Sequence, residues 1–500
     1  MTFVLLALAL LLRLIPSRLT PHGGGVDQWF WRAYIEKVRR DGRFPPDLPQ
    51  FRLDRAQWYP PLFPWLLAKA PPAVFERYAG LVAISLDLLR LGSLIGAVRL
   101  ISGSEMAVLV AGLVYVLTPL LTTYNMQLNP RGLGALFLDA LWLCLLALYY
   151  FSGPTYLWGV ACVLAGLVFI THKMTTQVFL FVLLATVAVS GEWRLLGLIP
   201  GGMLAALVIS GGFYRRVLLA HADIIRYWFR NWRWSGSNPI LESPIYGEPG
   251  FESPSKFYRR GLAAWVRRLQ FVIGFNPWMI AVMLVGGLAV AQGSALSAVE
   301  MAIYFWLMAT FAFGLLTTLV PQLRCFGQGY LYGYNGAFPA AMAWGLTYLG
   351  QGETMAWRFI AALGVVASGF ALFKFFQALR SSRTMKVDEQ LERALSRLAE
   401  LPEGTVMCLP QHWHDVAAYR TGKPVAFGGH GYGFDLLQPV FPRLLVPVKD
   451  FLAAHQIRYL LLWQNYVNDK FLADLPAASV EAFGDYRLYC FDGQVGENAK

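Results

Sequence analysis

The chain has 500 residues, of which 56% are hydrophobic, 15% aromatic and only 14% charged. A soluble globular protein carries about a quarter charged residues, so this deficit excludes an ordinary soluble protein and points to a membrane protein. The net charge of +12 does not mark a nucleic-acid partner: no basic low-complexity arm exists, and the arginines gather at the ends of apolar segments, where lipid phosphates lie.

Met1 to Ile15 is apolar, short and contains Arg13. It lacks a basic start and a small-residue cleavage site, so it reads as a retained first helix and not as a signal peptide. The stretch from Gly23 to Trp65 is too polar to cross a bilayer, yet rich in aromatics. Phe30, Trp31, Tyr34, Ile35 and Val38 form one stripe at helical spacing. With Arg and Lys opposite, the stripe predicts a helix lying in the membrane interface. Asp27 opens that helix after three glycines, and Asp54 lies further on. The chain then returns through Trp58-Tyr59-Pro60-Pro61-Leu62.

Apolar runs near the roughly 17–25 residues a span requires follow at 78–100, 106–123, 131–151, 155–171, 174–190, 195–214, 269–291, 299–320, 334–349 and 357–379. With the first segment they predict about eleven transmembrane helices. An odd count puts the termini on opposite sides. The larger loops (17–77, 124–130, 215–268 and 321–333) then share one side with the C-terminal region, and only stubs face the other. Arg and Lys are denser on the large-loop side, which the positive-inside rule calls cytoplasmic. The one-sided layout, and the cations that a lipid phosphate demands, assign it to the outer, extracytoplasmic face instead.

Within 215–268, Tyr227–Trp234 reads as a second interfacial segment with snorkelling arginines. Ser235–Ser255 reads as an aperiodic loop, and Arg215, Arg216, Arg259 and Arg260 as head-group contacts. After residue 380 the composition becomes that of a soluble domain of about 115 residues, an ordinary domain size. The chain thus divides into a transmembrane part, 1–380, and a small soluble α/β domain, 381–500. Strands are expected at 405–409, 458–463 and 486–491, and helices at 387–401 and 448–456. The glycine run Gly428–Gly433 does not match a nucleotide loop. The five cysteines show no metal spacing, and a Cys408–Cys490 disulfide stays open.

The early aspartate in Val26-Asp27-Gln28-Trp29, the return motif Trp58–Leu62, the many helices with short inner turns and the C-terminal domain together carry a resemblance. The plan resembles the GT-C superfamily of membrane glycosyltransferases. It implies a polytopic α-helical membrane protein that takes a sugar from a polyprenyl-phosphate carrier at the outer face. The early aspartate followed by aromatics is also similar to the oligosaccharyltransferase catalytic subunit. That subunit's Trp-Trp-Asp acceptor signature is missing here, so peptide glycosylation is not assigned.

Such a transfer needs a carboxylate to orient or deprotonate the acceptor hydroxyl, cations for the departing phosphate and a greasy groove for the prenyl chain. Asp27 is the candidate carboxylate, against a plain helix-capping reading. Asp54 is the second acid, placed to orient the acceptor, hold a metal or simply form a solvated turn. His172 and Lys173, between two apolar helices, are candidates for phosphate binding, with Arg131 behind them; charges there are costly unless they line a polar cavity. Arg324 joins them because GT-C members often carry an arginine near that place. Trp58, Tyr59, Tyr330 and His430 are candidate acceptor or loop contacts. Asp87 and Arg90 share a helix face and read as a buried structural pair, whereas Asp139 needs a partner that the sequence does not name. His412, His414 and Asp415 lack a third ligand at defined spacing for a metal.

The expected function is an inverting transfer from a polyprenyl-phosphate sugar to a glycan, lipid or protein acceptor. No cofactor is fixed, and a divalent metal (Mg or Mn) stays open. The rivals are a transporter or lipid-linked saccharide flippase, for which Asp87, Asp139 and His172 would mark a path, and a polysaccharide ligase or polymerase using diphosphate-linked glycans.

Overall fold

The computed structural model describes residues 1–234, 243–246, 261–381 and 386–491. Helices α1 (Thr2–Leu19), α2 (Asp27–Asp41), α3 (Leu62–Ala68) and α4 (Pro72–Ser102) come first. Helix α4 starts with Pro72 in its first turn and stops at Gly103, which adopts the left-handed φ of 62° that favours glycine. Its 31 residues form a rod of about 46 Å at 1.5 Å per residue, well beyond the hydrocarbon thickness of about 30 Å. One end therefore projects. That end carries Phe75 and Ala79, buried in one core with α2 and the C-terminal strands. It also carries Glu76, which accepts hydrogen bonds from Arg32 and from the Tyr419 hydroxyl.

The chain continues as α5 (Glu105–Leu117), α6 (Pro119–Tyr124), α7 (Arg131–Tyr150), α8 (Leu157–Phe169), α9 (Lys173–Ser190), α10 (Leu198–Ile209) and α11 (Tyr214–Arg230). Then come α12 (Leu262–Phe275), α13 (Pro277–Ala291), α14 (Ala298–Leu319), α15 (Gly333–Gln351) and α16 (Met355–Ser381). Six of these (α1, α4, α7, α9, α14 and α16) are long and apolar enough to cross a membrane, and two bent pairs raise the number to eight. The expected eleven is therefore not confirmed, for local reasons. Pro119 cuts the run 106–123, because proline cannot supply an amide to a helix interior. Gly211 and Gly212, both at positive φ, turn the chain by 120° into α11. Asn276-Pro277 bends α12 against α13 by 86°. Phe3, Leu100, Val189, Val208 and Val366 are exposed, and an apolar girdle of this kind suits lipid. Helices α8 and α10 touch through small residues: a Cβ on Gly166 would stand 2.7 Å from that of Ala205, the close approach typical of membrane helices.

The buried charges inside this bundle pair differently from the expectation. Asp87 does not bind Arg90. Its carboxylate accepts from Arg13 Nε at 3.0 Å and from the Tyr115 hydroxyl at 2.9 Å. Arg13 also donates to the carbonyl of Val116 and the hydroxyl of Thr122, both at 2.8 Å. Arg90 instead reaches Asp139, 2.7 Å away, which supplies the partner that the sequence left unnamed. An i, i+3 pair on one helix is geometrically allowed, but both side chains point into the bundle, where neighbouring helices offer opposite charges.

The C-terminal region forms a four-stranded sheet in the order β1-β2-β4-β3, from β1 (Thr405–Leu409), β2 (Ile457–Trp463), β3 (Ser479–Phe483) and β4 (Tyr486–Cys490). β1 and β2 are parallel; β4 pairs antiparallel with β2 and β3. Strand periodicity sends Val406, Cys408, Tyr459 and Leu461 to one core, shared with α17 (Glu389–Glu400), α18 (His414–Thr421) and α2. Met407, Leu409, Leu460 and Leu462 face a second core, built on 426–452 and Tyr227 of α11. All five cysteines are free thiols, Cys408 and Cys490 included. The expected aperiodic loop 235–255, apart from 243–246, and Arg259 and Arg260 lie outside the described residues.

The stripe of helix α2 that was expected to face lipid packs on protein instead. Its aromatic stripe is buried: Phe30, Tyr34 and Ile35 have no exposure and Trp31 only 2%. The amphipathic pattern was right, but the surface that covers it is protein and not lipid. Helix α11, which contains most of the second expected interfacial stretch, likewise touches the C-terminal domain: the Tyr227 hydroxyl donates to the carbonyl of Phe441, and Asp223 accepts the amides of Gly433 and Phe434. The first loop joins through the amides of Arg52 and Leu53, which donate to Val425 and Ala426 at 3.0 Å. The larger loops thus converge on one end of the bundle, beneath the sheet.

Candidate active site

Gly25 turns the chain into α2 at a φ of +77°, and a Cβ there would stand 1.9 Å from the side chain of Gln127. Only glycine tolerates that approach. It brings Asp27, the first residue of α2, against the polar loop 125–130. Asp27 does not cap the helix, and its carboxylate makes no hydrogen bond or ion pair with any described residue. The positive end of the α2 dipole favours a negative charge at this point.

Asp27 shares a cavity of about 40 Å³ with Tyr59, Arg131, His172 and His430, and with Tyr124, Gln127 and Asn129 of the polar loop. Arg131 is 7% exposed and Lys173, beside it, 5%. Neither has a carboxylate within ion-pair reach among the described residues. Arg131 lies over the Tyr124 ring at 4.8 Å and makes only long contacts, to the carbonyl of Leu331 at 3.4 Å and to the Met174 sulfur at 3.7 Å. Lys173 Nζ lies 4.8 Å from the Tyr59 ring centre and donates to the carbonyl of His430 at 3.2 Å. Burying a charge without a counter-charge is costly, so Arg131 and Lys173 beside the half-buried Asp27 suit a charged ligand.

The return motif sets these groups in place. Leu62 donates its amide to Ile170 at 3.0 Å, which pins Pro60-Pro61 to the turn before α9 and lays Tyr59 on Lys173. Trp58 stacks on Tyr432 with ring centres 4.7 Å apart, under Arg216. It anchors the glycine run and does not line the cavity. His172 does line it, but it also caps α9: its Nδ1 accepts the amide of Thr175 at 3.2 Å. In the neutral ring the proton therefore sits on Nε2.

Besides Trp58 and Lys173, three expected residues lie outside the cavity wall. Asp54 is 2% exposed and accepts the amides of Gly428 at 2.9 Å and Gly429 at 2.6 Å. Burial pushes its carboxyl up, against the opposing pull of those two amides. It shapes the loop that carries His430. Arg324 is buried in a 3-10 turn, Pro321–Phe326. Tyr330 packs on Phe275 at 5.0 Å and bonds to Tyr124, one step behind the cavity.

Sequence reasoning named the loop 124–130 but missed its polar side chains as site residues, although Asn125, Gln127 and Asn129 between two apolar helices were a readable signal. It also missed Gln177 and His221, joined at 2.9 Å, with the Tyr332 hydroxyl on Gln177 at 2.6 Å. Gln177 and His221 lie on the wall of a cavity of about 530 Å³, lined also by Phe181, Leu184, Met203, Leu218, Phe313 and neighbours. Helix α9 reaches both spaces: His172, its cap, lines the first, and Thr176, Leu180 and Leu184 follow at helical spacing along the second. Of the run 411–415, His414 is a satisfied core residue, taking the Cys408 amide on Nε2 at 3.0 Å. Asp415 instead meets His430.

The fold is that of the GT-C membrane glycosyltransferases. The chain is similar over 99% of its length to ArnT from Cupriavidus metallidurans bound to undecaprenyl phosphate, with a TM-score of 0.60, 16% identity and 98% of that chain covered. It is similar to the oligosaccharyltransferase AglB from Archaeoglobus fulgidus in complex with an inhibitory peptide and a dolichol-phosphate (TM-score 0.52, 11% identity, 92% of this chain and 69% of that one). The archaeal enzyme in complex with Zn and sulfate gives a TM-score of 0.55 at 13% identity, over 94% and 69% of the two chains. No family model and no curated protein matches the sequence.

Proposed function

We propose that the protein transfers a sugar from a polyprenyl-phosphate-linked donor to an acceptor at the outer face of the membrane, with inversion. The observation that carries this reading is Asp27 and the buried Arg131 on the wall of one cavity, with the buried Lys173 held against Tyr59 and His430 of that wall, none of the three in an ion pair among the described residues, and an apolar groove along the same helix α9. The neighbours' undecaprenyl and dolichol phosphates support the choice of carrier.

In this reading Asp27 takes the proton of the acceptor hydroxyl. The hydroxyl oxygen attacks the anomeric carbon, and the bond from that carbon to the phosphate oxygen breaks, its electrons going to the phosphate. Arg131 and Lys173 hold the extra negative charge. The prenyl tail lies in the groove along α9 and α11. A 40 Å³ cavity holds about one water, so a sugar phosphate enters only as the walls part.

A divalent metal does not fit this donor set. Asp27 is the one acid on the cavity wall, two cations stand beside it, and no metal-holding group of His, Cys, Asp and Glu occurs among the described residues. No step is routed through a metal. The transporter reading loses two of its three markers, because Asp87 and Asp139 are closed into ion pairs at 0% and 1% side-chain exposure.

The test is turnover of an undecaprenyl-phosphate sugar by the purified protein in liposomes. Release of undecaprenyl phosphate with transfer to an acceptor supports the reading. Movement of intact lipid-linked sugar across the bilayer, with no glycosidic bond broken, would replace it with the flippase.

A further inference from the structure

His430 belongs to the C-terminal domain, yet its ring forms part of the cavity that holds Asp27. Its backbone is fixed from several sides. Its amide donates to Gln57 at 3.1 Å, its carbonyl accepts Lys173, and the adjoining glycines are held by Asp54. Gly431 is needed for this approach, because a Cβ there would stand 2.3 Å from the carbonyl of Ala56. The ring stacks on Phe30 with centres 4.2 Å apart and an interplanar angle of 24°. Its Nε2 lies 3.0 Å from Oδ2 of Asp415, and Asp415 is only 5% exposed.

A carboxylate only accepts hydrogen bonds, so Asp415 holds the proton on Nε2. Nδ1 has no partner among the described residues and is not sealed off, and the ring it belongs to lines the cavity. We infer that Asp415 and His430 act as a unit that presents the Nδ1–H of His430 to the donor's phosphate, making the C-terminal domain part of the phosphate site. The inference rests on the transferase reading above and adds two residues to it. His430 touches the substrate; Asp415 is a positioning residue acting through it.

The charged and titratable groups facing the ring are Asp415 and Asp27, Lys173 and Arg131, and His172 and Tyr59. Burial pulls the imidazole down and Lys173 opposes its charge. Asp415 and Asp27 outweigh both and leave it above the ordinary 6.5. As pH rises through that raised value, Nδ1 loses its proton and the phosphate loses a donor. The sheet, the glycine run and the Asp54 clamp thus have one shared consequence: they carry a proton-bearing ring to the membrane site.

The test is binding of undecaprenyl phosphate to the purified full chain in detergent, from about pH 5.5 to about pH 9. The wild type is expected to weaken about tenfold or more across an inflection above 6.5. Asp415→Asn should move that inflection to lower pH while keeping wild-type affinity at the acid end. His430→Gln should remove it. Lys173, His172 and the phosphate titrate in all three proteins, so the differences between profiles isolate the pair. Identical profiles in the three proteins, with the wild type binding well, would overturn this inference and leave the transferase reading standing. Failure of the wild type to bind at any pH would overturn the transferase reading, and this one with it.

Discussion

Two clusters of buried charge sit in this molecule, and they are opposites. Deep in the bundle, Arg13 and Asp87 are saturated by each other and by Tyr115, Val116 and Thr122, and Arg90 meets Asp139. At the end under the sheet, Arg131 and Lys173 are withdrawn from water, and neither they nor the half-buried Asp27 has an ion partner among the described residues. The contrast teaches that burial alone does not mark a functional charge in a membrane protein. The mark is burial without internal compensation.

The comparison is sharpest at the two aspartates. Asp27→Asn is expected to lower turnover by about 10²–10⁴, the usual worth of a positioned acid–base group, with no fall in melting temperature. Asp87→Asn should do the reverse. Removing one partner of a buried pair costs about 3–5 kcal/mol, read as a lower melting temperature and a lower yield of folded protein. A stable, fully active Asp87→Asn would erase the distinction.

The cations extend it. Arg131→Gln or Lys173→Gln should reduce kcat/KM for the lipid-linked donor by roughly ten- to a hundredfold, the worth of one charge-assisted contact, with the fold intact. Thermal unfolding and steady-state kinetics on the same preparations separate the two effects.

The smallest expected effect is on stability against pH. The imidazole of His430 is raised above 6.5 in the folded state, so the folded protein binds more protons than the unfolded chain around and above that value. Its contribution is complete below 6.5 and is lost as pH climbs through the raised value. The melting temperature of the wild type, relative to His430→Gln, should therefore decline over that window.

Much of this was legible in the sequence because local pattern and tertiary role agreed. The stripe from Phe30 to Val38 marked the helix, and short apolar runs marked the strands at Thr405–Leu409 and near Ile457–Trp463. Asp27, Tyr59, Arg131, His172 and His430 do meet. What failed depended on partners distant in the chain. The aromatic stripe cannot say whether lipid or a sheet about 370 residues later covers it, since both are apolar. Asp87 and Arg90 are neighbours on one helix, but Arg13 and Asp139 arrive from others. Asp54 looks like a site acid until its oxygens are seen to hold Gly428 and Gly429. Asp415 was left without a role because its partner, His430, comes from a separate loop. The bends at Gly211-Gly212 and Asn276-Pro277 shortened runs that hydropathy had read as whole spans.

The most direct measurement is a structure of the protein with undecaprenyl phosphate bound. The account predicts the phosphate within hydrogen-bonding distance of Arg131 and Lys173, facing Asp27, with the tail running along α9 past Gln177 and Leu184. A phosphate bound elsewhere, with those two side chains still without a charged partner, would contradict it.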